Sequence, residues 1–260
     1  ANKPYINACV NNVHETNRRT VLQQDTGTVQ TVEHVLAAVF ATGISNLTIE
    51  LNGPEVPILD GSAKIFIEAL EKAGICIQSE IIQQCNLHHY FKVESDDKKS
   101  KIEFFPQNKL AIEVNVDYNS EILTNQKASM NSLLEFKKEI SAARTFCFLH
   151  ELNYLIENNL IKGGGLDNAL VFVEKELKIE DLTSVRNLLP KNISTIKKGL
   201  FHNQKLIYQN EPARHKLLDL IGDRPAVVCR ELTKIHEEIK RGTISSLLQH
   251  FKKTKLKGRR

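Results

Sequence analysis

The chain has 260 residues, 41% of them hydrophobic and 25% charged, with a formal net charge of +4. This supports one large domain or two ordinary ones with real cores, and excludes disordered and fibrous classes. The base excess gathers in Phe251–Arg260, which holds six bases and no acid; without interleaved aromatics it reads as a solvated tail or linker over 246–260, not a nucleic-acid surface.

No apolar run reaches bilayer length, and Ala1-Asn-Lys-Pro-Tyr5 lacks the regions of a secretory signal, so a cytoplasmic protein that is not transmembrane is expected. Cys9, Cys76, Cys85, Cys147 and Cys229 are scattered, odd in number and without a Cys-x-x-Cys pair. Reduced, mostly buried thiols are expected.

In chain order, Val32, Val35, Leu36, Val39 and Phe40 recur at helical spacing before Gly43, predicting a helix over 32–42. Leu47, Ile49 and Leu51 alternate as in a half-buried strand over 46–52, followed by Gly-Pro and Asp-Gly turns. A second helix is predicted over 62–73, with Ile65, Phe66, Ala69, Leu70 and Ala73 as its stripe and Gly74 as its stop. Residues 101–105 and 110–116, divided by Pro106-Gln-Asn108, read as a hairpin. Helices over 131–140 and 149–160 and a buried strand over 169–173 follow. The charged, poorly periodic stretch from about 174 to 204 reads as an insertion.

The chemistry concentrates in Glu33-His34 and in His215-Lys216-x-x-Asp219. His215 and Asp219 are one helical turn apart, so both side chains project from one face and can grip one ion. A catalytic zinc takes three protein ligands and keeps a position for water, and His34 completes such a set. Glu33, beside a ligand, is placed to handle that water's proton. On spacing alone, a solvated or capping role for these residues stays open.

The wording around both halves is more specific. Thr31-Val-Glu-His-Val-Leu-Ala-Ala38, Asn52-Gly-Pro-Glu-Val-Pro-Ile-Leu-Asp-Gly-Ser62, Ala143-Arg-Thr-Phe146, Gly163-Gly-Gly-Leu-Asp-Asn168 and Asn210-Glu-Pro-Ala-Arg-His-Lys-Leu-Leu-Asp-Leu-Ile-Gly-Asp223 occur in one order. Together they resemble the zinc-dependent UDP-3-O-acyl-N-acetylglucosamine deacetylase family of lipid A (lipopolysaccharide) synthesis in Gram-negative bacteria. The long stretch before the Asn-Glu-Pro-Ala-Arg-His wording looks like the form fused to a hydroxyacyl-carrier-protein dehydratase, so a fused or following dehydratase is an expected partner. The resemblance implies an α+β fold of two related halves packed face to face with helices between the sheets. The halves would be 1–80 and 81–245, with the insertion in the second. It implies Zn2+ held by His34, His215 and Asp219, with Glu33 as base. It further implies Thr145 as oxyanion donor, Phe146, Lys216, Leu149 and Gly164 as contacts of the UDP-linked acylated glucosamine, and release of acetate. Lys216 is expected on a different helix face from His215, and Asp60 and Asp167 in structural roles.

Two departures qualify the expectation. The chain begins after the family's opening strand and Gly-x-Gly-x-His loop, and Thr243 stands roughly where the family has a Gly-His histidine. Neither His236 nor His250 takes over that role. A zinc- and sugar-lipid-binding relative without turnover is therefore the alternative expectation.

Overall fold

The structure is a computed structural model that describes residues 4–79, 89–97, 99–152, 168–178 and 194–223, with the backbone of 233–240. Helices and sheets are mixed rather than alternating, an α+β fold. Three short strands come first, β1 (Val13–Glu15), β2 (Val21–Gln24) and β3 (Gly27–Gln30), joined as an antiparallel sheet in that order. Their polar content hides them from a hydrophobic-pattern reading. The one legible signal is Asp25-Thr26-Gly27, where Asp25 takes φ 51° to turn the chain.

Helix α1 (Glu33–Ala41) follows within a residue of its expected bounds. Glu33 in its first turn suits the positive end of the helix dipole. It stops at Thr42, whose hydroxyl donates to the Ala38 carbonyl, before Gly43 at φ 74°. Val32 and Val35 pack on Val13, Leu22 and Val56, whereas Ala37 and Ala38 join the main core. The helix is thus covered on two sides.

The strand expected over 46–52 does not form. Leu47 and Ile49 are 45% and 42% exposed, and only Leu51 packs inward. Alternation marks a strand only when a neighbouring strand takes up its backbone groups, and none of the described strands pairs with this stretch. Helix α2 (Lys64–Ala73) forms, with Gly74 beyond it at φ 81°. Its inward stripe is Ala63, Phe66, Ile67 and Leu70, while Ile65, Ala69 and Ala73 lie exposed. Both stripes have helical spacing, and the core selects the one facing it.

A five-stranded sheet supplies the other side of the core. Its strands are β4 (Phe91–Glu94), β5 (Ser100–Pro106), β6 (Ala111–Asp117), β7 (Gln126–Met130) and β13 (Thr233–Lys240). The order is β4-β5-β13-β6-β7, so β5 and β6 are not a hairpin. β13 lies between them, antiparallel to β5 and parallel to β6. Local sequence shows two strands with a turn between them; a third strand more than a hundred residues away is invisible to that pattern. Phe104, Ile112, Val114, Val116 and Met130 point from this sheet into one core with Ile67 and with Leu217, Leu218 and Ile221 of the helix at 211–223.

The helix expected over 131–140 is a single α-helical turn, α3 (Leu133–Glu135), running into a π-helical turn, Phe136–Ile140. The wide turn buries both Phe136 and Ile140. β8 (Phe146–Phe148) and β9 (Leu170–Val173) pair in parallel, and β9 is buried throughout, as the apolar run predicts. Leu149–Glu151 is a 3-10 turn, and the rest of the helix expected to 160 lies outside the described residues. Part of the insertion is anchored. β10 (Leu177–Lys178) pairs with β11 (Thr195–Ile196), and β12 (Gly199–Leu200) adds an antiparallel edge to β9. The last helix among the described residues, α4 (Glu211–Asp223), lies against α1.

Among the described cysteines, Cys147 is buried, Cys9 intermediate and Cys76 exposed, all as free thiols; burial is thus less general than expected. Cys85 and Cys229 lie outside the described residues. Among the described residues no helix is long and apolar enough to cross a membrane.

Candidate metal centre

The contact between α1 and α4 brings together residues that the sequence separates by 181 positions or more. Gly222 makes this possible: a Cβ there would stand 1.9 Å from the Glu33 carbonyl oxygen. At this crossing His34, His215 and Asp219 each offer one ligand atom, all within 4.8 Å of one another. Asp219 Oδ1 is 3.7 Å from His34 Nε2 and 3.5 Å from His215 Nε2. Donors around one tetrahedral zinc stand roughly 3.4 Å apart, given bonds of about 2.0–2.1 Å.

The protonation of this set suits a cation. Burial, then His215, holds the His34 imidazole down at about 3, and burial lowers His215 as well, so both rings keep a free lone pair at neutral pH. His215 Nδ1 lies 3.0 Å from the Ala143 carbonyl. A carbonyl only accepts, so Nδ1 carries the proton and Nε2 faces the trio. Burial works against the Asp219 carboxylate, yet His215, Lys216 and His34 together hold it down at about 2. Burial, then Asp223 and Asp219, pushes Glu33 up to about 8. Its Oε2 accepts the Thr20 backbone N–H at 3.1 Å. Three buried or nearly buried carboxyl groups around one ammonium form a cluster that another positive charge stabilises, and the residues therefore fit a divalent ion.

Lys216 corrects the expected geometry. Its ammonium donates to Asp219 Oδ2 at 2.7 Å and stands 5.6 Å from the centre of the Phe146 ring. It therefore turns into the same site as His215. A four-carbon stem spans the angle between adjacent helix positions, and Asp219 attracts the charge. Burial opposes the ammonium, but Asp219 keeps its proton affinity raised.

Phe146 stands edge-on to His215, with ring centres 6.3 Å apart. Thr145 beside it is held by its N–H to Gly61 (2.8 Å) and by its carbonyl, which accepts from Leu170 (2.9 Å). Gly61 sits at φ 81°, and an added Cβ would meet the Asn168 carbonyl at 2.0 Å. Asp60 accepts from the Ser62 N–H and hydroxyl, a turn-forming role. Leu149 is buried at the start of its 3-10 turn. Gly164 and Asp167 lie outside the described residues, as do Thr243 and His250, while His236 falls in β13.

Two site members escaped the sequence reading. Asp223 is buried and pushed up to about 7, first by burial and then by Asp219, and it accepts the Thr20 hydroxyl at 2.6 Å. Its spacing, four residues beyond Asp219 and eight beyond His215, was the available signal. Thr20 had none, because the strand β2 that it immediately precedes was not legible.

The sequence model of the family described as LpxC: UDP-3-O-acyl N-acetylglycosamine deacetylase matches residues 1–189. The chain belongs to this deacetylase family. It is 39% identical over 224 residues to a bifunctional enzyme LpxC/FabZ of Porphyromonas gingivalis, covering 85% of this chain and 48% of that protein. It is 34% identical over 220 residues to a UDP-3-O-acyl-N-acetylglucosamine deacetylase of Chlamydia pneumoniae, covering 84% of this chain and 69% of that protein. A deacetylase of the same name from Chlamydia muridarum is 36% identical over 225 residues, covering 86% and 70%. The chain thus spans about half the length of its bifunctional relatives in the deacetylase family.

Proposed function

We propose that this chain is a zinc-dependent amidohydrolase that removes acetate from UDP-3-O-(3-hydroxyacyl)-N-acetylglucosamine and leaves the free amine, the committed step of lipid A synthesis. The observation that carries the reading is the convergence of His34, His215 and Asp219 within 4.8 Å, beside the buried Glu33. A bound zinc supplies Lewis-acid polarisation of the amide carbonyl and makes water more acidic.

The residues of the chain divide the remaining work. Glu33 takes the proton from the attacking water as the new C–O bond forms. The Thr145 hydroxyl donates to the oxyanion that develops on the carbonyl oxygen, and the Lys216 ammonium adds positive charge beside it. When the C–N bond breaks, the proton held by Glu33 passes to the leaving nitrogen, so acetate and amine are the products. Phe146 forms an apolar wall next to His215, and the family likeness is what assigns Leu149 and Gly164 to the acyl chain.

The test is acetate release from the acylated nucleotide sugar by the zinc-loaded full chain. Folded, metal-loaded protein that releases none removes the enzymatic reading and leaves the alternative, a zinc- and sugar-lipid-binding relative without turnover. That alternative rests on the resemblance, which puts Thr243 roughly where the family has a histidine. We place the activity in the cytoplasm; fractionation checks this. The likeness to the bifunctional relatives supports a dehydratase partner, fused or separate, and the coding sequence downstream of Arg260 decides between them.

A further inference from the structure

Glu211, the first residue of α4, is wholly buried and takes no part in the steps above. One of its carboxylate oxygens accepts from the Arg144 backbone N–H at 3.1 Å and from Arg144 Nε at 2.8 Å. The other accepts from Arg144 Nη2 at 3.2 Å and from the Ile207 N–H at 2.6 Å. The same Nη2 donates to the Lys205 carbonyl at 2.6 Å. A carboxylate with four donors, gripped by a planar guanidinium, has one orientation available to it.

The location of this pair gives it a consequence for the metal centre. Arg144 stands between Ala143, whose carbonyl receives the His215 Nδ1 proton, and Thr145. Glu211 stands one helical turn before His215. The ion pair therefore ties the segment 143–145 to the helix that carries His215 and Asp219. We propose that Arg144 and Glu211 are positioning residues of the metal centre. They set the separation between the Ala143 carbonyl and His215, and with it the tautomer and aim of that imidazole and the placement of the Thr145 hydroxyl. This rests on the zinc reading above. Partners that orient a metal-bound imidazole change metal affinity by about 10–100-fold when removed.

Another ion pair on α4 serves as the control. Arg214 Nη1 lies 3.1 Å from Glu139 Oε2 and ties the helix to the π-helical turn, four residues before Ala143. If the Arg144–Glu211 pair were only a staple of the fold, losing either pair would affect stability alone.

The experiment measures zinc dissociation constants of the full chain by competition with a chromophoric chelator, for wild type, Arg144→Lys, Glu211→Gln and Glu139→Gln. Steady-state kinetics at saturating zinc accompany it. Arg144→Lys keeps the charge and loses the fork; with Glu211→Gln it should weaken zinc binding by about 10-fold or more and lower kcat while KM changes less. Glu139→Gln should leave zinc affinity within about twofold of wild type, within the usual scatter for a surface change. If Glu211→Gln does not fold, Arg144→Lys decides. Folded Arg144→Lys with wild-type zinc affinity and kcat overturns the assignment, as does an equal loss in Glu139→Gln. Wild-type protein that takes up no zinc overturns the metal reading itself, and this assignment with it.

Discussion

Replacing Gly222 by alanine perturbs the contact on which the site depends. The new Cβ would lie 1.9 Å from the Glu33 carbonyl oxygen, 2.7 Å from its carbon and 3.0 Å from its Cα, all backbone atoms of α1. Favourable contacts begin at about 3.5 Å, so the two helices must part by more than about 1 Å. Alanine gains about 1 kcal/mol of intrinsic helix propensity over glycine, while overpacking of this kind costs about 1–3 kcal/mol. Net stability should therefore fall only modestly, by about 0–2 kcal/mol, or up to about 8 °C in Tm. The effect on the site should be much larger. His34 moves with α1, and His215 and Asp219 move with α4. A shift of about 1 Å is half of a metal–nitrogen bond of about 2.0 Å, and misplacement on that scale costs about 100-fold in rate. Chelator competition, acetate release and a thermal melt on the same preparation separate the two effects. Gly222→Ala with wild-type zinc affinity and turnover would refute the claim that this close crossing assembles the centre.

Other consequences can be checked separately. Glu33→Gln should retain zinc and lose about 100- to 10,000-fold in kcat, measured by metal analysis and acetate release on one sample; full activity would remove Glu33 as the base. Asp219→Ala should reduce zinc stoichiometry towards zero, since it deletes a donor and the carboxylate that attracts the cation, and elemental analysis after dialysis reads this directly. Burial pushes the Cys147 thiol up to about 12, so at pH 8 almost no thiolate is present there. Iodoacetamide should therefore label the exposed Cys76 and spare Cys147 until denaturant is added, as followed by peptide mass spectrometry. Phe104→Ala, in the fully buried core, should cost about 3–5 kcal/mol in urea unfolding.

The sequence by itself named His34, His215 and Asp219, which the structure brings together. The one-turn spacing of His215 and Asp219 holds on any helix, and the ordered motifs from Thr31 to Asp223 named a family that the comparisons support. It also marked α1, α2, β5, β6 and β9, because apolar spacing or an apolar run within one element reveals its type. Only the tertiary structure decided which of two helical stripes on α2 faces inward, that β13 divides β5 from β6, and that Leu47 and Ile49 stay outside. It alone turned Lys216 into the site, added Asp223 and Thr20, and joined Arg144 to Glu211. The physical reason is the range of the interactions. Periodicity and capping are set within a few residues, whereas strand pairing, close helix crossing at Gly222 and the proton affinity of a buried carboxyl depend on chain segments brought together by folding.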